Sequence, residues 1–357
     1  MERVQFAIIG GGWRSEFFLR IARQLPDRFE VTGMLVRDPE KGRAIEEKWG
    51  VKTCRDLKEL QAKFVFSFVL VCVPRTAAPE YIIQLGQAGI PVLCETPPAI
   101  DLEAMLALHR SLSPAMRIQV AEQYIFQPYH AARLQIARSG RLGEITQAQI
   151  AIAHDYHGIS LMRHFLDVLF EDATIQAISY RSKIVENSNL YGAHPEMKMV
   201  PSSQTIATLR FGDKLGVYDF SYDQYFSWVR SSRMLIRGSN GEINNFQIRY
   251  VVDAENPVDL ELTRISAGID GNLEGSYLKG ILLGTEHVYK NPFIPGRLTD
   301  DEIAIATSLA KMDVYAKGGP SFYSLAEASQ DHYLALMIQK AAASGETVTT
   351  TRQPWIG

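Results

Sequence analysis

The sequence predicts an α/β protein built as two domains. The first is a doubly wound parallel sheet, and the second an α+β domain with a large, mostly antiparallel open sheet. Three observations carry this. Over the first 120 or so residues, short apolar runs alternate with amphipathic helical stretches. A glycine-rich turn follows the first apolar run. After Pro128 the pattern changes to a two-residue alternation, the mark of strands with one wet face.

Val4–Ile9 reads as the first strand, and glycines lead from it into a helix carrying Phe17, Phe18, Ile21, Ala22 and Leu25. A second strand spans Glu30–Val36. Asp38-Pro39 then supplies an N-cap and a first-turn proline, and the helix runs to Trp49 and stops at Gly50. Asp56 begins a short helix with Glu59 in the capping-box position. The apolar run Phe64–Val73 reads as a buried strand ending at Val73-Pro74. Next come a helix over Pro79–Ala88, a strand Val92–Cys94, a helix from Asp101 to about Leu112 and a strand Ile118–Ala121. A helix from Pro128 to Ser139-Gly140 opens the second half. Alternating segments follow at Thr146–Ala153, Thr205–Phe211, Gly216–Tyr222, Arg233–Arg237 and Ile248–Val252. Residues 185–203 and 254–300 carry Gly, Pro, Asn and Asp and read as loop-rich, with no strands or helices assigned within them. Ser324–Ser344 reads as an amphipathic helix. The expected domains are 1–122, 123–323 and a C-terminal helix and tail, 324–357.

At 357 residues the chain suits two domains, and 46% hydrophobic with 22% charged residues is an ordinary globular balance. A net charge of −3 gives no electrostatic reason for a nucleic-acid or anionic-membrane partner. The longest apolar run is too short to span a bilayer, and a strand at the very start leaves no room for a signal peptide. A cytoplasmic location is expected. Cys54, Cys72 and Cys94 have no metal-like spacing and read as buried reduced thiols.

The turn after the first strand is Gly10-Gly11-Gly12-Trp13-Arg14-Ser15, a G-x-G-x-x-G pattern with serine in the last place. Gly10 permits the tight turn, and Gly12 lets backbone approach a pyrophosphate at the helix N-terminus. The third glycine serves only close helix–strand packing. Between the first strand and first helix of an α/β array, the pattern points to a Rossmann domain that binds NAD or NADP. Trp13 and Arg14 in the turn and Val73-Pro74 after the buried strand join the expected cofactor contacts. At the end of the second strand, Asp38 serves as the helix cap. This leaves Arg37 to pair with a 2′-phosphate or stack on adenine, which favours NADP.

With these residues the sequence resembles the glucose–fructose oxidoreductase, inositol dehydrogenase and rhizopine catabolism family (Gfo/Idh/MocA) over nearly its whole length. The resemblance rests on the glycine turn, on Arg37-Asp38-Pro39-Glu40-Lys41, and on Gly89-Ile90-Pro91-Val92-Leu93-Cys94-Glu95. Ser139-Gly140-Arg141-Leu142-Gly143-Glu144 adds to it, as does the Asp331-His332-Tyr333 helix leading into Ala343-Ser344-Gly345. It implies NAD(P), chemistry on a secondary alcohol of a sugar or polyol, and a homodimer or homotetramer joined through the open sheet.

The family's catalytic positions are altered. Its Glu-Lys-Pro is here Glu95-Thr96-Pro97, and threonine can hydrogen-bond a hydroxyl but is no base near neutral pH. Glu95 and Thr96 remain expected cofactor contacts. In the family's Asp-x-x-x-His pair, His157 matches but Ala153 stands for the aspartate; before Phe-x-Pro, Ile125 stands for arginine, beside Tyr124. The cluster His154-Asp155-Tyr156-His157 lies at a strand end before an apolar helix, Ile159–Phe170, and the family's geometry aims that end at the nicotinamide. His157 is the expected general acid/base, with Thr96 and Tyr156 as hydrogen-bonding partners. Tyr124, Asp155, His157 and Arg163 are the expected substrate contacts. No metal is expected: three near-adjacent ligands on an alternating strand point to different faces, and His194-Pro195-Glu196 is a lone loop pair. Tyr218, Phe220 and Tyr222 share a face that packs a sheet or an interface, or else stacks on a sugar.

Hydride transfer between nicotinamide and a sugar-like alcohol or ketone is the leading expectation. The coordinated absence of lysine at 96 and aspartate at 153 leaves two alternatives. One is a nucleotide-binding regulator or sensor without turnover. The other is an enzyme that keeps its cofactor through a redox-neutral elimination or hydrolysis.

Overall fold

A computed structural model describes residues 2–188, 192, 196–268, 271 and 275–356; His194 and Pro195 lie outside the described residues. Six strands form an all-parallel sheet: β1 (Val4–Ile9), β2 (Phe29–Leu35), β3 (Thr53–Cys54), β4 (Phe68–Val71), β5 (Val92–Cys94) and β6 (Ile118–Val120). Their order is β3-β2-β1-β4-β5-β6, so the switch point lies between β1 and β4, where open α/β sheets bind ligands. The crossovers are α1 (Ser15–Gln24), α2 (Pro39–Trp49), α3 (Leu57–Lys63), α4 (Ala78–Gln87) and α5 (Leu102–Arg110). Their ends follow the sequence signals. Asp38, Asp56 and Asp101 each accept backbone N–H bonds at a helix start, and Gly50 ends α2 at φ 72°. The run expected over Phe64–Val73 is strand only over Phe68–Val71, whose four residues are fully buried; Val65 points into solvent.

Downstream come α6 (Pro128–Arg138), β7 (Ile145–Ala151), α7 (Asp155–Leu166), β8 (Thr174–Val185), β9 (Met199–Phe211) and β10 (Lys214–Ser221). They are followed by β11 (Arg233–Gly238), β12 (Gly241–Asn244), β13 (Gln247–Val251), β14 (Pro257–Ser266), β15 (Leu278–Leu283) and β16 (Glu286–Lys290). The chain closes with α8 (Asp300–Ala316), α9 (Leu325–Ser344) and β17 (Val348–Thr349). The second sheet has eleven strands in the order β16-β15-β14-β13-β12-β11-β7-β10-β9-β8-β17. It is mixed: β7 and β10 run parallel, while β8–β9, β9–β10, β7–β11 and β11 through β14 pair antiparallel. This is the expected fold class.

Two expectations are corrected. The segment 254–300 is not loop: it holds β14, the hairpin β15–β16 turning at Gly284 (φ 59°), and the first residue of α8. Likewise β9 already begins at Met199, inside the segment 185–203. The turn residues lie between these strands and mask them. The outward face of β14 is polar, so no apolar run announces it.

Compactness divides the chain into two units. One comprises residues 1–131, 264–281 and 289–329, the other 132–263, 282–288 and 330–357. In the first unit, α8 joins the core of the six-stranded sheet. Ile303, Ile305, Ala306, Leu309 and Met312 pack with Phe6, Ile8, Phe18, Ile21 and Phe68. Fully burying one such side chain contributes about 1.5–3 kcal/mol. All three cysteines are buried and reduced. No described helix is long and apolar enough to cross a membrane.

Candidate functional site

In the first unit the glycine turn has the form a dinucleotide requires. Gly10 has φ 115°, and a Cβ there would sit 2.0 Å from the Cys72 carbonyl oxygen, so only glycine fits. A Cβ on Gly12 would meet nothing within 4 Å, so backbone faces open space at the N-terminus of α1. That pairing of a tight turn with an open approach fits a pyrophosphate. Ser15 is buried, and its hydroxyl donates to the Gly10 carbonyl at 3.2 Å. Serine in the last place thus closes the turn from inside.

The residues around the turn divide by environment. Trp13 is exposed, with its edge against the Phe17 ring at 5.6 Å. Val73 is half-buried beside Gly10, and Pro74 is exposed. Arg14 Nε donates to Glu95 Oε1 at 2.9 Å, its Nη1 lies 3.5 Å from Asp301 Oδ2, and its guanidinium lies over the Phe17 ring. Burial works against that charge, but Glu95 and Asp301 outweigh it and the pKa of Arg14 is raised. Asp301, from the first turn of α8, also accepts from Gln127 Nε2 at 3.4 Å, a contact that no local sequence signal marks. Thr96 is half-buried after β5, and the Thr96-Pro97 bond is cis. Tyr124 stands in a short turn, its N–H donating to Glu122 Oε1 at 3.0 Å.

At the end of β2, Asp38 caps α2, accepting from the N–H groups of Glu40 at 2.8 Å and Lys41 at 3.2 Å. These bonds hold its carboxyl below the usual range. Arg37 is exposed beside it. The structure adds Arg55, whose Nη1 donates to the Val36 carbonyl at 2.8 Å and to Thr53 Oγ1 at 3.0 Å. A Cβ on Gly42 would meet that guanidinium at 2.4 Å, so glycine in α2 makes room for it.

In the second unit His154 is the N-cap of α7, and Asp155, Tyr156 and His157 form its first turn rather than a strand end. Asp155 has φ 41°, a strained backbone for a residue with a Cβ. Several partners hold it there. Its N–H donates to the Tyr218 hydroxyl at 2.9 Å. Its carboxylate accepts from the Tyr222 hydroxyl at 2.6 Å and from Gln339 Nε2 at 3.3 Å. His154 Nδ1 lies 3.3 Å from the same carboxylate oxygen as Tyr222. Burial would raise the Asp155 pKa; the bonds from His154 and Tyr222 outweigh it and bring it to about 2. Burial and Asp155 push the hydroxyls of Tyr218 and Tyr222 up.

Aromatic rings wall this cluster. The His154 ring stacks on Tyr222 at 5.3 Å and meets the edges of Tyr156 at 5.1 Å, His157 at 4.9 Å and Tyr225 at 5.9 Å. Tyr156 in turn touches His332 from α9. Gly158 lets Tyr218 approach, since a Cβ there would meet its ring at 2.9 Å. His157 is buried, whereas His154 and Asp155 are half-buried. Sequence reasoning reached Tyr218 and Tyr222 as packing residues; the structure joins both hydroxyls to Asp155. Gln339 was missed, because nothing local marks a side chain that acts 184 residues from its partner.

Arg163 corrects its expected substrate role. It is buried, with Nη1 2.6 Å from Asp331 Oδ1 and Nε 2.9 Å from the Leu169 carbonyl, which also accepts from Nη2. These donors are spent inside the fold. His164, next on the helix, has its pKa lowered to about 3 by burial and by Arg163 and Arg138.

Residues 4–120 match a family model described as an oxidoreductase family with an NAD-binding Rossmann fold. A 2,7-anhydro-N-acetylneuraminate hydratase of Mediterraneibacter gnavus is 19% identical over 347 residues, covering 85% of this chain and 89% of its own. A scyllo-inositol 2-dehydrogenase (NADP(+)) of Bacillus subtilis is 30% identical over 95 residues, 26% of this chain and 29% of its own. Among solved structures, a levoglucosan dehydrogenase in complex with NADH and levoglucosan gives a TM-score of 0.70 at 16% identity. That match covers 98% of this chain and 100% of the other, and it supports the fold.

Proposed function

We propose, from the premise that this chain belongs to the Gfo/Idh/MocA oxidoreductase family through its N-terminal Rossmann domain, that it is an NAD(P)-dependent oxidoreductase of a sugar, polyol or related secondary alcohol or ketone. The observation that carries the reading is the glycine turn, closed at Gly10 and open at Gly12. Gly10, Gly12, Trp13, Val73, Pro74 and Thr96 hold the nucleotide. Arg14 contributes as the residue that fixes Glu95 beside it. When bound, the nicotinamide supplies a hydride acceptor or donor at its ring carbon.

Arg37 selects NADP over NAD. It is an exposed fork of donors at the end of β2, while Asp38 is committed to its helix cap and does not compete for the ribose. The proton is handled in the second unit by the His154–His157 segment with Tyr156, and Thr96 offers a hydroxyl to the substrate. Tyr124 and Asp155 orient the substrate. Exposed apolar side chains on β8 and β9, among them Ile178, Tyr180 and Met199, support assembly through the open sheet as a homodimer or homotetramer.

A second reading has one specific support, the hydratase of Mediterraneibacter gnavus aligned over 85% of the chain. In it the cofactor is retained and the net reaction is redox-neutral. Incubation of the NADP- or NAD-loaded protein with a panel of polyols and anhydrosugars separates the two. Stoichiometric appearance of reduced nicotinamide with product supports the dehydrogenase. Product without it supports the second reading.

A further inference from the structure

We propose that the proton acceptor of the second unit is Nε2 of His154, held for that role by the Asp155 carboxylate, while His157 is the packed wall behind it. This rests on the oxidoreductase reading and assigns its acid–base group.

Nδ1 of His154 faces Asp155 Oδ2 at 3.3 Å, and a carboxylate there can only accept, so Nδ1 carries the proton. A neutral imidazole with its proton on Nδ1 has its lone pair on Nε2, ready to take a proton. The carboxylate is fixed independently: Tyr222 donates to Oδ2 at 2.6 Å, Gln339 to Oδ1 at 3.3 Å, and the backbone is anchored by Tyr218. The His154 N–H donates to the Tyr225 hydroxyl at 3.0 Å, which sets the ring's starting point. Strain at Asp155, φ 41°, is kept by this web of bonds, as at sites where geometry serves chemistry.

Exposure separates the two histidines. His157 is 6% exposed, packed under Tyr156 at 4.5 Å and against His154 at 4.9 Å. The His154 side chain keeps 22% of its surface in solvent, stacked on a Tyr222 that is itself 60% exposed. An alcohol oxygen can reach the first ring far more easily than the second. Among the described residues, the groups shown facing His154 are the carboxylate of Asp155, the hydroxyls of Tyr222 and Tyr225 from the turn after β10, and Tyr156 and His157 from α7. Asp155 is the one anion among them, so the imidazolium formed by proton uptake is paired at once.

The balance is complete. The substrate O–H bond breaks and its proton goes to Nε2. With NAD(P) bound, the cofactor would supply the acceptor for the carbinol hydride, so that loss of the O–H proton and the C–H hydride leaves a ketone, while Asp155 pairs the imidazolium formed on His154.

The test needs no substrate. Long-range proton–nitrogen spectra of histidine-labelled full-length protein at neutral pH report each ring's tautomer, and His154→Gln identifies the His154 signals. The account expects His154 to hold its proton on Nδ1. Asp155→Asn or Tyr222→Phe should weaken that bias, the second variant serving if the first does not fold. Diethyl pyrocarbonate with peptide mass mapping should acylate the partly exposed His154 markedly faster than the buried His157. An Nε2-protonated or doubly protonated His154, or faster acylation of His157, overturns the assignment. Nucleotide binding, followed separately by nicotinamide fluorescence, fails only if the oxidoreductase reading itself fails.

Discussion

Arg163 Nη1 lies 2.6 Å from Asp331 Oδ1, and both side chains are nearly out of solvent, at 3% and 2% exposure. This pair ties α7, which carries the His–Asp cluster, to α9, which contributes Gln339 to the same cluster. Removing one partner leaves a buried charge without its counter-ion, which costs about 3–5 kcal/mol. Arg163→Met should therefore lower the thermal midpoint strongly, and Arg163→Met with Asp331→Leu should recover much of the loss. Calorimetry of the three proteins checks this. An Arg163→Met variant of wild-type stability contradicts the structural role.

The glycine turn makes two opposite predictions for neighbouring glycines. Gly10→Ala places a Cβ 2.0 Å from the Cys72 carbonyl at φ 115°, so it should fold poorly or lose several degrees of stability. Gly12→Val places its Cβ where nothing lies within 4 Å and should fold normally, yet it fills the space a pyrophosphate needs. Its affinity for reduced nucleotide should drop by at least about tenfold, or 1.4 kcal/mol. Melting curves and fluorescence titrations of both variants separate the effects.

Asp155 makes stability depend on pH at the acid end. Its folded pKa, about 2, lies below the ordinary value of 3.8. The contribution is thus fully present above about pH 4 and lost as pH falls through about 2. With a quarter of the side chain exposed, it amounts to about 1–2 kcal/mol. Asp155→Asn should be less stable than wild type by that amount at neutral pH, and the difference should vanish near pH 2. Urea midpoints at several pH values measure it.

His164 acts in the same direction across a higher range. Its folded pKa is lowered to about 3, first by burial and then by Arg163 and Arg138. The unfolded chain takes up a proton below about pH 6.5, while the folded chain does not until about pH 3. Stability falls with acid at about 1.4 kcal/mol per pH unit from this group. His164→Gln should flatten the decline by that slope between pH 6 and 4. An unchanged slope contradicts a neutral, half-buried ring at His164.

Much of the fold was legible because local signals agreed with the global one. Asp38-Pro39 and Gly50 bound α2 as their side-chain chemistry requires, and β1 with its glycine turn announced the parallel sheet. The β8 strand escaped because most of its residues face solvent, so neither a buried run nor a clean alternation appears. The α8 helix escaped because it is apolar almost all round, although Thr299 and Glu302 form a capping box that could have revealed it. In the site, the His154–His157 segment was readable as a cluster. Its partners Tyr222 and Gln339 stand 67 and 184 residues from Asp155, a closeness that only tertiary pairing creates.

The central claim, a nicotinamide nucleotide held at the glycine turn with Arg37 selecting the 2′-phosphate, is tested most directly by fluorescence titration of the purified protein with NADPH and NADH, for wild type and Arg37→Ala. The account predicts tight NADPH binding that weakens at least about tenfold in the variant, with NADH affected little. Equal binding of both nucleotides in both proteins contradicts the role of Arg37. Binding of neither nucleotide to wild type contradicts the oxidoreductase assignment itself.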